Sequence, residues 1–369
     1  MATMIQRALL SSALVGAVAA AATCTTTDPC AGPTRCPATG ELPFPVLSDY
    51  DFFQGSMVEE VPKDGVIPYT VVAPLWSDQA GKGRFIVLPE GGKIDFEARE
   101  GWGYPEGSII IKSFYFDHDR RDPSAGSDTV ETRLLIRKGG EWEPVTYLWN
   151  EEQTEATLLK VGKRVEFSFI DEDGASKDEE YIVPNLDQCR SCHERSDEMH
   201  SLGTVTPQLN FEVEKDGKMV NQLEWLAEQG LFSGALPAVD TLDRFAAPFD
   251  ADAFELDDRA RSYLHANCAH CHRDGGAANK SGIDFLRWET DPEQFGVCKL
   301  PAAAGAGAGG RLYDILPGRP EESIVTYRMN SLDPEIKMPE LPNRVIDEKG
   351  LALITEWIAA MPVKECGVP

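Results

Sequence analysis

Two copies of one five-residue pattern constrain this 369-residue chain more than any other feature: Cys189-Arg190-Ser191-Cys192-His193 and Cys268-Ala269-His270-Cys271-His272. C-x-x-C-H is the attachment signal for c-type haem, in which the two sulfurs add to the vinyl groups and the adjoining histidine ligates iron. A lone copy also reads as half of a zinc site or as a redox dithiol. Two copies behind an export signal favour two covalently bound haem c groups, because haem is attached to cysteines outside the cytoplasmic membrane.

The export signal is read in residues 1–23, where a single basic residue, Arg7, precedes an uncharged, mostly apolar run from Ala8 to Ala22. Its length suits a signal peptide and is too short for a transmembrane helix. The expected location is the periplasm, or the outer membrane of a Gram-negative bacterium as an anchored lipoprotein. Of nine cysteines, the two motifs take four and leave Cys24, Cys30, Cys36, Cys298 and Cys366, an odd set for an oxidising compartment. If Cys24 carries a lipid, the others pair as Cys30 with Cys36 and Cys298 with Cys366. Ala21-Ala22-Thr23-Cys24 departs from a good lipobox, and cleavage near Ala22 with one thiol left over is the alternative. Membrane contact is expected only through that anchor.

With 42% hydrophobic residues, the chain can build more than one core. Its formal charge of −26 disfavours nucleic acid and anionic lipid surfaces and would steer in a redox partner protein with a cationic surface.

Residues 24–43 read as a flexible tether rich in Thr, Pro and Gly. Residues 44–185 carry short β-branched and aromatic runs at 84–88, 108–116, 130–137, 144–149, 164–170 and 180–183. Gly91-Gly92, Asp122-Pro123, Gly139-Gly140 and Asp173-Gly174 punctuate them. Successive strands without intervening helices predict an antiparallel β sandwich or barrel-like domain. Residues 186–250 read as the first attachment segment and a connector. Residues 251–369 read as an all-α cytochrome c-like domain, making the fold class α+β and multidomain. Its helices are expected at 256–267 and after Asp347, the latter with an inward stripe of Leu351, Ile354, Ile358 and Met361.

Met338, in Lys337-Met338-Pro339, is the candidate sixth ligand for a haem held by Cys268, Cys271 and His272, since a stiffened loop followed by a terminal helix suits a thioether ligand. Met329 is its rival, and Met is also common core filler. For the haem held by Cys189, Cys192 and His193, His200 is the candidate distal ligand, against the reading of an exposed loop histidine. His265 and His270 read as surface residues. Asp117, His118 and Asp119 do not read as a metal site, because adjacent strand residues point to opposite sides. No residue reads as catalytic.

Tyr263 to His272, Gly296-Val297-Cys298-Lys299, Tyr313 to Pro320, Lys337-Met338-Pro339-Glu340 and Trp357-Ile358 resemble a family of largely uncharacterised exported bacterial c-type cytochromes. Pro74-Leu75-Trp76-Ser77-Asp78, Glu131-Thr132-Arg133-Leu134 and Tyr147-Leu148-Trp149-Asn150 extend the likeness, which runs from about Leu47 to Met361. The resemblance implies a β-rich N-terminal region, a C-terminal class I-like cytochrome module, and electron transfer through the six motif residues and Met338. It names no substrate. The expected function is single-electron transfer between a periplasmic or surface partner and a respiratory chain. Its rivals are a dihaem peroxidase-like enzyme and a ligand-binding β module with an accessory haem domain.

Overall fold

A computed structural model describes residues 41–302, 304–341 and 343–367. The expected export segment, Cys24 and the Cys30–Cys36 pair lie outside them. Eight strands fill the first half: β1 (Val66–Pro68), β2 (Gly81–Val87), β3 (Ile109–Asp117), β4 (Ser127–Lys138), β5 (Glu141–Trp149), β6 (Ala156–Leu159), β7 (Lys163–Ile170) and β8 (Ser176–Val183). The first six form one antiparallel meander in chain order, and β7 and β8 form a separate hairpin. All six runs expected as strands are strands. Of these eight, β1 and β6, with 3 and 4 residues, were not expected.

The meander is open, and alternation along its strands builds two unlike faces. Phe85, Val87, Ile109, Ile111, Leu134, Ile136, Tyr147 and Trp149 point to one side, where Phe44, Leu47, Tyr50, Phe52 and Phe53 from the N-terminal segment cover them. Tyr147 ties that cover down, its hydroxyl donating to the Phe44 carbonyl at 2.7 Å and sharing a 2.8 Å bond with Tyr50. The other face is covered by segments after the first motif: β9 (Glu194–Arg195) with β10 (Glu198–Met199), α2 (Thr206–Leu209), the β11 (Glu212–Lys215) and β12 (Lys218–Asn221) ribbon, and α3 (Gln222–Glu228). Leu209, Leu223, Leu226, Leu231 and Phe232 meet Ile86, Ile110, Trp102 and Trp142 there. Leu209 to Phe232 thus add to the core on that face of the meander.

The C-terminal region holds α4 (Leu256–Cys268), α5 (Ile324–Met329) and α6 (Glu348–Ala360). Acidic Asp257 and Asp258 complement the dipole in the first turn of α4, and its buried residues Ala260, Tyr263, Leu264 and Asn267 fall at i, i+3, i+4 and i+7. Asp347 caps α6 by accepting the Gly350 N–H at 2.9 Å. Gly350 is required by close approach, since a Cβ would stand 2.1 Å from the Tyr263 hydroxyl. The buried face of α6 is Gly350, Leu353, Ile354, Trp357 and Ile358, shifted from the expected stripe; Leu351 and Met361 are only partly buried. Trp357 Nε1 donates to Asp257 at 2.8 Å, locking α6 across α4. Cys298 and Cys366 form the expected disulfide, with Cα atoms 5.3 Å apart.

The expected fold class does not hold. Among the described residues the only other sheet of the first half, the two-stranded β7–β8 hairpin, packs on Phe114 and Phe116 through Tyr181 and Phe167 and is too small to make a sandwich, so a segment with little regular structure and short helices and ribbons cover most of the two faces. No large all-α cytochrome domain forms either. Its helices have only 13, 6 and 13 residues. Between Cys268 and Ile324 the chain carries Gly275, Gly276, Gly282, Pro292, Gly296, Pro301 and Pro317, which forbid or disfavour a long helix. The described molecule is mostly β. No helix among the described residues is long and apolar enough to cross a membrane.

Candidate functional site

The first motif lies on α1 (Leu186–His193). A capping box starts this helix: Asn185 Oδ1 accepts the Gln188 N–H and Gln188 Oε1 accepts the Asn185 N–H, both at 2.9 Å. Cys189, Cys192 and His193, at i, i+3 and i+4, consequently share one helical face. The second motif begins where α4 ends and continues in a turn, with the N–H groups of Cys271 and His272 both donating to the Cys268 carbonyl at 3.1 and 2.8 Å. All four cysteines are free thiols.

Each histidine is oriented through one ring nitrogen. His193 Nδ1 lies 2.7 Å from the main-chain oxygen of His200, and His272 Nδ1 lies 3.0 Å from Ser281 Oγ. That leaves Nε2 of each ring available, the arrangement in which an outer partner sets tautomer and direction. Burial pushes both imidazoles down to about 4, with Lys112 and Arg133 adding to the effect at His193 and His270 and Arg328 at His272. Both rings are neutral at pH 7, the form that binds a metal.

Two cavities open on these groups. Cys189, Cys192 and His193 line one of about 1440 Å³, counting the open space at its mouth, between the second face of the meander and the C-terminal region. Cys268, Cys271 and His272 line another of about 1290 Å³, whose walls include Ile283, Phe285, Ile324 and Val325. Met338 and Met329 both line this second cavity. Met329 also belongs to the C-terminal core, whereas the Met338 loop is pinned by Arg328, whose carbonyl accepts the Met338 N–H at 3.0 Å and whose Nε donates to Ile336 at 2.8 Å.

His200 is not brought into the first cavity. Its carbonyl serves Nδ1 of His193, and its imidazole lines a third, more polar cavity of about 830 Å³ together with His193, His265 and His270. His265 is not a surface residue. It packs between Phe245 and Trp288, its Nδ1 accepts the Arg287 N–H at 3.1 Å, and burial pushes it down to about 3. His118 pairs with Asp128 at 3.0 Å and is half exposed.

The motifs abut. Cys271 Sγ donates to the Ser191 carbonyl at 3.5 Å. Cys192 lines all three cavities. Just beyond the motifs, Ser196 N–H donates to the Gly275 carbonyl at 3.1 Å, and Glu100 receives Arg195 and Arg273, each at 2.9 Å. Sequence reading missed Glu100 and Ser281, neither of which carries a local signal. It also missed the Asn185-x-x-Gln188 capping box, which was legible.

Two thiols and a neutral imidazole converging on one cavity can together take up an electrophilic carbon pair and a metal ion. Among the described residues, no three His, Cys, Asp or Glu side chains are grouped to hold a bare metal ion. No family model, curated protein or solved structure matches the chain.

Proposed function

We propose that this protein is an exported dihaem c-type cytochrome that passes single electrons between a partner protein and a respiratory chain. The observation that carries the reading is the pairing of two complete Cys, Cys, His sets, each lining its own cavity, with Cys192 lining both cavities and Cys271 meeting the Ser191 carbonyl of the first motif. Further support comes from the two neutral imidazoles with Nδ1 already engaged, and from four free thiols beside a formed Cys298–Cys366 disulfide, a combination suited to an oxidising compartment in which motif thiols are reserved for attachment.

When bound, each haem supplies a one-electron ferric/ferrous couple. The chain's part is to hold and insulate it. Cys189, Cys192 and His193 would hold one haem, and Cys268, Cys271, His272 and Met338 the other. Ser281 and the His200 carbonyl orient the two imidazoles that would ligate iron, and Ile283, Phe285, Ile324 and Val325 would give the second haem apolar walls. Glu100 holds the segments after the two motifs together, so both sites keep a constant separation.

One observation favours a second reading. Among the residues lining the first cavity, His193 is the only imidazole and no thioether is present, which suits an iron open to added ligands, as in a peroxidase-like enzyme. Intact mass and a haem stain of the protein exported alongside haem-attachment machinery test the main reading, with two covalent haems expected. A mass without haem, or zinc bound by the four cysteines, overturns it. Rapid carbon monoxide binding at one haem together with peroxide turnover at an enzymatic rate would replace the carrier with the peroxidase-like enzyme.

A further inference from the structure

Arg84, Lys112 and Arg133 stand directly opposite one another on β2, β3 and β4. Lys82, two residues before Arg84, shares their face. Like charges placed directly across neighbouring strands repel, and a buried charge without a partner is costly. The compensation inside the protein is thin. Glu131 pairs with Arg133 and also accepts the Tyr181 hydroxyl at 2.6 Å. Lys82 Nζ donates to the Ala80 carbonyl at 2.9 Å. Lys112 Nζ makes no hydrogen bond or ion pair among the described residues and lies over the Phe114 ring at 4.9 Å, with Arg133 at 4.2 Å from the same ring.

This face forms a wall of the cavity that holds Cys189, Cys192 and His193. The cavity's lining includes five basic residues, Arg84, Lys112, Arg133, Lys337 and Arg344, against one acid, Asp78. Asp78 Oδ1 is already taken by the N–H groups of Arg344 and Val345 at 2.7 and 3.1 Å, and Arg344 pairs with Glu180 at 2.7 Å. In a chain of net charge −26, so local an excess of buried positive charge calls for an anion. Burial and the neighbouring cations push Lys112 well below its ordinary value and Lys82 down to about 7, so an anion beside the row would favour its charged form.

We propose that Arg84, Lys112 and Arg133, with Lys82 adding charge beside them, seat the carboxylate side chains of the tetrapyrrole held at Cys189 and Cys192. The inference rests on the dihaem reading and adds to it which wall of the first cavity faces the carboxylate edge. Guanidinium forks and an ammonium suit such groups, the former by bidentate bonds. The row then stabilises the reduced iron of this haem, because positive charge nearby and neutralised carboxylates both disfavour the ferric state.

The test compares Lys112→Met, Arg84→Gln and the charge-retaining Lys112→Arg with the parent, all exported and loaded with haem. Intact mass confirms two haems, and a spectroscopic redox titration follows each. The two charge-removing variants should lower the midpoint potential of the haem that lacks a sulfur-to-iron band and leave the other unchanged. Lys112→Arg should restore the parent value, which a packing role for Lys112 would not do. Unchanged potentials in both charge-removing variants, with two haems attached, overturn the proposal. A saturable spectral shift of the parent's first haem with inorganic phosphate, lost in Arg84→Gln, also overturns it, by assigning the row to a soluble anion. A parent without covalent haem is a separate result that removes the dihaem reading itself.

Discussion

Nδ1 of His193 lies 2.7 Å from the main-chain oxygen of His200. The residue expected as a distal ligand thus orients, through its backbone, the ring proposed to ligate iron, and a carbonyl survives side-chain replacement. His200→Ala should keep the spectrum and the carbon monoxide binding of the parent and change stability by less than ~1 kcal/mol. A carbon monoxide site that appears only in the variant would restore His200 to the distal position.

Glu100 joins the segments that follow the two motifs. Burial alone would raise its carboxyl, but hydrogen bonds and charge from Arg195 and Arg273 outweigh that and hold it below the usual carboxylate range. A carboxyl depressed in the folded state contributes stability that is present above its unfolded value of about 4.3 and is lost as pH falls through the lower folded value. Glu100→Gln should therefore be less stable than the parent at pH 7, and the gap should close as pH is taken below the folded value. Since the Glu100 side chain is 45% exposed, screening limits the effect to roughly 1 kcal/mol. Urea unfolding at pH 7 and pH 3 measures it, and an equal gap at both pH values would place the effect in packing instead.

Cys298 and Cys366 are 68 residues apart and tie the C-terminal tail to the turn after Phe295. Closing a loop of that length removes unfolded-state entropy worth about 4 kcal/mol. Cys298→Ser with Cys366→Ser should lower the thermal midpoint by several degrees while intact mass still counts the same haems. A drop in haem count would mean that the disulfide guides attachment as well as stability.

The strands were legible because their alternation is local, and Leu256 to Asn267 was legible because its apolar spacing is helical. What covers each face of the meander was not. Tyr147 meets Phe44, and Leu223 meets the sheet, across sequence distances that no local pattern records. The all-α expectation failed because the cysteine motif and the two flanking helices were extended across a glycine- and proline-rich stretch that cannot be helical. At the site, the motifs named six residues from spacing alone. Glu100 and Ser281 act through contacts made only in the folded chain. In the row, only Lys82 and Arg84 carry a local signal, two basic residues at a spacing of two on one strand face; Lys112 and Arg133 join them through strand register.

Met338 and Met329 line the same cavity as His272, but their surroundings predict different losses. Met329 is 9% exposed and packs in the core with Ile354, Trp357 and Ile358, so Met329→Ala should cost ~2 to 5 kcal/mol and leave the iron's ligands alone. Met338 is absent from that core, and Arg328 holds its loop through two hydrogen bonds. On the proposed dihaem reading, a thioether opposite histidine favours ferrous iron, so Met338→Ala should abolish the sulfur-to-iron absorption band and lower that haem's potential, with less effect on unfolding than Met329→Ala. Arg328→Gln should weaken the same band without abolishing it, because the main-chain bond to Met338 remains while the bond to Ile336 is lost. A band intact in Met338→Ala and missing in Met329→Ala would exchange the two roles.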